Sequence, residues 1–131
     1  MKLFSKTIGC ALLLLLAGCA SQPHTTGVIE RDSLQVDPDV LYSMTVTELF
    51  EQRIRQPDGT SILQVQFAVD AHSDAELAWK VSWFDANGMM VKGVADGYRR
   101  ASVLLGQTRY FKATAPHPRV TTYQLHIREP Q

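Results

Sequence analysis

Thiols are scarce in this chain: two cysteines in 131 residues, Cys10 and Cys19, and none from position 20 onward. Whatever folds beyond that point has no disulfide, thiolate metal site, redox pair or cysteine nucleophile. Excess charge of one sign is missing too. Thirteen basic residues balance thirteen acidic ones, so there is no basic stripe of the kind nucleic acid requires. No apolar run is long enough to span a bilayer: the longest, from Ile8 to Ala17, is about half the ~20 residues a spanning helix needs. Neither a Gly-x-Ser-x-Gly elbow nor a glycine-rich loop opening a helix occurs. The four histidines (24, 72, 117 and 126) are scattered. These absences argue against acyl-transfer and nucleotide chemistry, and no cofactor is expected.

What is present begins at the N-terminus. Lys2 and Lys6 precede the short apolar run, and Leu16-Ala17-Gly18-Cys19 closes it. That layout fits a secretory signal, and its last four residues resemble the lipobox of bacterial lipoproteins. The resemblance implies cleavage before Cys19 and acylation of its thiol, with chains such as palmitate. The run has no polar face, so it does not read as a packed surface helix. One acyl chain holds a protein to a bilayer only marginally; the three typical of such lipoproteins anchor it durably. Ala20 follows the cysteine where inner-membrane retention would call for Asp. The expected location is the outer membrane, facing the periplasm. Loss of residues 1–18 removes two basic and no acidic residues and leaves a net charge of −2.

Residues 19–39 read as the lipidated N-terminus and a flexible tether, with a short ordered piece around Leu34-Gln35-Val36. A flexible chain of this length spans about 25 Å r.m.s. and about 65 Å when stretched. The folded domain, 40–131, would therefore work close to its own membrane. At about 90 residues it is one domain with a modest core.

Within it, Tyr42–Gln56 is rich in Thr, Val and aromatics, which favours a strand. The adjacent Leu49 and Phe50 break its alternation, and a bulge is expected there. Pro57-Asp58-Gly59 is a turn. Leu63, Val65, Phe67 and Val69 alternate with Gln64, Gln66, Ala68 and Asp70 as in a half-buried strand, and the two strands should form a hairpin. Past His72-Ser73-Asp74, Trp79, Val81 and Trp83 share a face opposite Lys80 and Ser82. Asp85-Ala86-Asn87-Gly88 carries a strong hairpin signal, with Met89-Met90-Val91 returning as a short strand. Asp96–Arg100 reads as loop, and Ala101–Leu105 as a strand ended by Gly106-Gln107. Arg109–Ala113 alternates. After Pro116-His117-Pro118, Tyr123, Leu125 and Ile127 oppose Gln124, His126 and Arg128. About seven short strands and no helical period predict an all-β fold, an immunoglobulin-like β-sandwich of Greek-key type. Trp83 or Trp79 is expected to fill its core, and a small closed barrel is the competing architecture.

The run Trp79-Lys80-Val81-Ser82-Trp83-Phe84-Asp85-Ala86-Asn87-Gly88-Met89 resembles a segment of the YcfL-like periplasmic lipoproteins. Those proteins combine a lipobox, a short tether and an Ig-like sandwich with a Trp-aromatic-Asp-x-x-Gly turn, matched here by Trp83-Phe84-Asp85-Ala86-Asn87-Gly88. The resemblance implies no catalytic residues, since the family has no established activity. Its members are often encoded near an outer-membrane lipoprotein activator of a penicillin-binding protein, which implies by association a role in the cell envelope.

Candidate sites are few. Asp70, His72 and Asp74 alternate, and on a strand they would project together with ligands suited to zinc or manganese; Asp and Ser at a turn read more simply as turn formers. Asp85-x-Asn87-Gly88 resembles a fragment of a calcium loop without its later acids. Phe84 is an apolar residue on the polar face of its strand. Tyr98-Arg99-Arg100 offers an aromatic and two cations to an anionic partner or lipid headgroups. Exposed sheet edges offer strand addition. The expected protein is a non-enzymatic lipoprotein that touches the membrane through its lipid and binds another envelope protein. A carrier of a lipid or cell-wall fragment is the alternative, and a metal-dependent hydrolase built on Asp70, His72 and Asp74 a third reading.

Overall fold

Period-two burial dictates most of this architecture. The computed structural model describes residue 29 and residues 31–131. Cys19, the segment 1–18, residues 19–28 and Glu30 lie outside the described residues. The elements are β1 (Leu34–Val36), a 3-10 helix (Pro38–Tyr42), β2 (Met44–Arg55), β3 (Ser61–Ala71), β4 (Ala75–Asp85), β5 (Arg99–Val103), β6 (Thr108–Thr114) and β7 (Val120–Arg128). They form a sandwich of a four-stranded sheet, ordered β1-β7-β4-β5, and a three-stranded sheet, ordered β2-β3-β6. All neighbouring strands are antiparallel except β1, which runs parallel to β7 with Leu34 beside Leu125 and Val36 beside Ile127. The fold class is therefore the one expected.

The core lies between the sheets. Leu63, Val65, Phe67 and Val69 of β3 face Trp79, Val81 and Trp83 of β4, all buried, with Leu125 and Ile127 of β7 fully enclosed. Phe67 meets Trp79 edge-on at 5.2 Å and stacks on Phe111 at 4.9 Å. Such side chains gain about 1.5–3 kcal/mol each on full burial. Both tryptophans are core residues. Trp83 pairs across the sheet with Tyr123, their rings 6.4 Å apart.

The bulge in β2 stands earlier in the strand than the sequence pattern suggests. The β2–β3 register slips between Val46 and Glu48, so Thr47 is the extra residue. The slip reverses the inward–outward parity of the residues after it. Met44, Val46 and Leu49 all reach the core, and Phe50 is turned out, 57% exposed. A slip at Leu49-Phe50 would have left Leu49 on the solvent side.

Met89-Met90-Val91 is not a strand. It makes one bridge, Met90 with Phe84, and Val91 N–H donates to Trp83 O at 2.8 Å. Val91 is buried, and Gly93 lies so close to Pro116 that a Cβ there would stand 2.9 Å from the proline Cβ. The chain thus leaves the β4 edge and crosses the open side of the sandwich. The seventh strand is β1 instead, at the place where a short ordered piece was expected. It carries folded structure into the stretch whose composition suits a tether. The next strand begins at Arg99 and ends at Val103, placing Arg99 and Arg100 on a strand and not in a loop. Ala101 and Val103 align with Leu77 and Ala75, which fixes that start.

Candidate functional site

The residues singled out as metal ligands do not converge. Asp70 Oδ1 accepts from Thr108 Oγ1 at 2.6 Å, His72 Nε2 lies 2.6 Å from Thr45 Oγ1, and Asp74 Oδ1 accepts from Leu105 N–H at 2.8 Å. Each ties the β3–β4 reversal to a different neighbour: β6, β2 and the β5–β6 turn. No group of three His, Cys, Asp or Glu side chains arranged to hold a metal ion occurs among the described residues. Asp85 is likewise committed. Its Oδ1 accepts the N–H groups of Asn87 and Met89, at 2.9 and 3.0 Å, across a turn that needs Gly88 at φ +78°. The Trp-aromatic-Asp-x-x-Gly pattern thus encodes a turn: the carboxylate caps the loop and the glycine takes the left-handed backbone.

Strand alternation splits the Tyr98-Arg99-Arg100 trio. Arg99 turns toward the core edge, its guanidinium 4.9 Å from the Trp79 ring. Arg100 takes the outer side of the four-stranded sheet beside Ala78 and donates to Gln131 O at 2.5 Å. Tyr98 lies over the same outer surface, where Lys80 pairs with His126 and Ala78 with Arg128. Its ring carries Arg128 at 3.6 Å and Lys80 at 4.9 Å. Both are cation–π contacts, worth about 0.5–2 kcal/mol depending on desolvation. The buried Nε of Arg128 has no hydrogen-bond partner; the π face of Tyr98 offsets its charge.

A second feature, which the sequence did not suggest, holds this ring in place. Tyr98 Oη lies 2.6 Å from His126 Nδ1, and His126 Nε2 lies 2.7 Å from Asp37 Oδ1. One tautomer satisfies both contacts: Nε2–H donates to the carboxylate and Nδ1 accepts from the phenol. Carboxylate, imidazole and phenol thereby link the segment after β1, strand β7 and the loop before β5. The outer face therefore shows Lys80 and Arg128 around a fixed aromatic ring, with Arg100 beside Ala78 on the same face and Asp37 turned to the histidine. Glu76, farther along β4, is the acidic residue of the same row.

Phe84 is half-buried at the end of that row, opposite Thr122 of β7 and bridged to Met90. Met89 and Met90 are exposed beside it, so an apolar rim stands next to the cationic surface. The other sheet differs outside: Phe50 and Tyr110, each 57% exposed, sit among Gln52, Gln64, Gln66 and Lys112. Among the described residues, two of the grooves bear on the candidate site. One of about 150 Å³ lies between Trp79, Trp83, Pro116 and the Gly93–Gly97 loop. The other, about 490 Å³, is lined by Ile29, Leu34, Val36, Leu41 and Val46 together with Arg31 and Asp32.

The chain matches the family model described as "Protein of unknown function (DUF1425)" over residues 34–129, from the first residue of β1 to just past β7. Two solved structures are similar to it. One is a Campylobacter jejuni protein, cj0090, 18% identical, with a TM-score of 0.62 over 76% of this chain and 100% of that one. The other is a DUF1425 family member from a Shewanella species, also 18% identical, with a TM-score of 0.52 over 67% of this chain and 77% of that one. At that identity the likeness concerns the fold alone. No curated protein matches the chain.

Proposed function

The chain belongs to the DUF1425 family of proteins of unknown function, and from that premise we propose that it is a non-enzymatic lipoprotein of the YcfL-like kind, held to the outer membrane through Cys19 and facing the periplasm. Its sandwich binds an acidic segment of another envelope protein on the outer face of the four-stranded sheet. The observation carrying this reading is the gathering of Lys80 and Arg128 about the ring of Tyr98, which the Asp37–His126 pair holds still, with Arg100 on the same outer face. Oriented cations beside an aromatic are suited to carboxylates: the ring supplies rigid area and the cations supply steering and register. The carboxylate–imidazole–phenol chain serves here as a latch fixing that surface. The apolar rim of Phe84 and Met90 extends the contact.

A photocrosslinking residue at Ser82, next to Lys80 on β4, tests the binding face in intact cells. The expected product is one defined protein adduct, lost when Lys80 and Arg100 are both replaced by Glu. Adducts to lipid and scattered neighbours alone would overturn the reading. Mass spectrometry of the processed chain tests the anchor: an acylated Cys19 at the N-terminus is expected, and an unmodified terminus refutes it.

The groove lined by Ile29, Leu34, Val36, Leu41 and Val46 favours a second reading, a carrier of a lipid or cell-wall fragment, because about 490 Å³ lies within the range of ligand sites. Lipid co-purifying with the protein and lost on Leu34→Asp would favour this reading.

A further inference from the structure

Strand β2 is one of the two edges of the three-stranded sheet, β6 being the other, and among the described residues no strand pairs with its outer side. The 3-10 helix packs near its Met44 end. Its other half, from Phe50 to Arg55, is largely exposed on both faces. Open edges of this length are usually blunted by like charges or proline. This one carries Phe50-Glu51-Gln52-Arg53-Ile54, a sequence that reads apolar, acidic, neutral, basic, apolar.

Backbone parity fixes which groups the edge offers. Gln56 N–H donates to Thr60 O at 2.7 Å, so residue 56 faces β3. By alternation Gln52 and Ile54 also face β3, while the N–H and C=O groups of Glu51, Arg53 and Arg55 point outward. We propose that two copies of this chain pair through these edges, β2 antiparallel to β2 with the two-fold axis at Gln52, joining the two sheets into one of six strands.

That register sets Glu51 opposite Arg53 of the second copy, twice by symmetry, and both residues are outward-facing as a hydrogen-bonded pair requires. It also sets Phe50 opposite Ile54 twice, covering the exposed ring. Centring on Glu51 or Arg53 brings like charges face to face, and centring on Ile54 sets Arg53 against Arg55. Centring on Phe50 sets Leu49 against Glu51. Arg53 already donates to Val120 O at 3.1 Å through one nitrogen, which steadies the side chain and leaves its other donors free. The occupant is a second copy because the edge is complementary to itself in both charge and apolar pattern. This inference does not rest on the proposed binding of an envelope protein and uses a different sheet.

The test is sedimentation of the full chain in detergent, with the variants Glu51→Arg, Arg53→Glu and the two combined. The parent is expected to dimerise with rising concentration. Each single reversal creates two like-charge pairs and should weaken association at least about tenfold, and the double reversal should restore it to within about threefold. A second measurement needs no change of charge. Residue 52 stands against its own copy in a non-hydrogen-bonded pair, with Cα atoms about 4.5 Å apart, inside the disulfide range. Gln52→Cys in the otherwise native chain should crosslink under mild oxidation well above the parent and above Glu76→Cys on the opposite sheet. A chain that stays monomeric at every concentration overturns the proposal. So does a double reversal no better than the single ones, or a Gln52→Cys adduct that contains a different protein.

Discussion

Strands β3 and β4 meet through Phe67 and Trp79, ring centroids 5.2 Å apart, and inside the sandwich they present the same chemistry. Outside they part company. Beyond β3 lie Gln64, Gln66 and the buried Ala68, flanked by Phe50 and Tyr110. Beyond β4 lie Lys80 and Ser82, flanked by His126, Arg128 and the overlying Tyr98. Inward residues answer to packing, which constrains both strands alike. Outward residues answer to solvent and partners, so the contrast between the two outer faces is where specialisation can be read. One face is neutral and ends in a self-complementary edge; the other is cationic and latched.

The strongest way to break the comparison is to attack what both strands share. Phe67→Ala and Trp79→Ala should each cost about 3–5 kcal/mol in denaturant titration. The double mutant should show a coupling of about 0.5–1.5 kcal/mol, as edge-to-face rings do. Coupling near zero would mean that the two rings pack independently. A smaller effect separates the outer faces. His126→Ala removes both contacts of the latch and should cost about 1–2 kcal/mol. Gln66→Ala, at a matching outward position on the other sheet, should stay within about 0.5 kcal/mol.

Smaller still is Lys80→Ala, expected to cost about 0.5 kcal/mol in stability, the low end for a cation–π contact, while reducing adduct formation from Ser82. A stability loss with unchanged adduct yield would make Lys80 structural. The slightest effect concerns the β2–β3 turn. Thr60, through its hydroxyl and its N–H, holds the Asp58 carboxyl below its ordinary pKa of 3.8. A carboxylate with a lowered folded pKa contributes stability that is present above 3.8 and lost as pH falls through the folded value. Asp58→Asn should therefore flatten the acid limb of a stability–pH curve below about pH 4 and leave the limb above neutrality unchanged.

The inward faces of β3, β4, β6 and β7 are legible in the sequence because their apolar residues alternate without interruption. The Pro57-Asp58-Gly59 and Asn87-Gly88 turns are legible because their chemistry is local. The bulge at Thr47 is not, since moving it to Leu49 leaves the composition of the strand unchanged and alters only which side each residue faces. The Met89–Val91 return has the composition of a strand without being one. Just beyond it Gly93 packs against Pro116, 23 positions further along the chain. For the candidate site, the sequence offers Tyr98, Arg99 and Arg100 only as an adjacent run in a loop, and strand parity separates Arg99 from the other two. Asp37 and His126 stand 89 positions apart, and only the β4–β7 register and the parallel β1 bring them to Tyr98. A histidine on the polar face of the last strand and an aspartate before the 3-10 helix were the available hints.

The direction of β1 has a mechanical consequence. Because β1 runs parallel to β7, tension drawing the N-terminal segment back along the strand loads its interstrand bonds side by side, in shear. The bond from Leu125 N–H to Ser33 O and that from Asp37 N–H to Ile127 O bracket the three residues, so they share the force instead of unzipping in turn. The Asp37–His126 contact lies in the same line of pull. A pull applied there would load the whole sheet before it could peel an end.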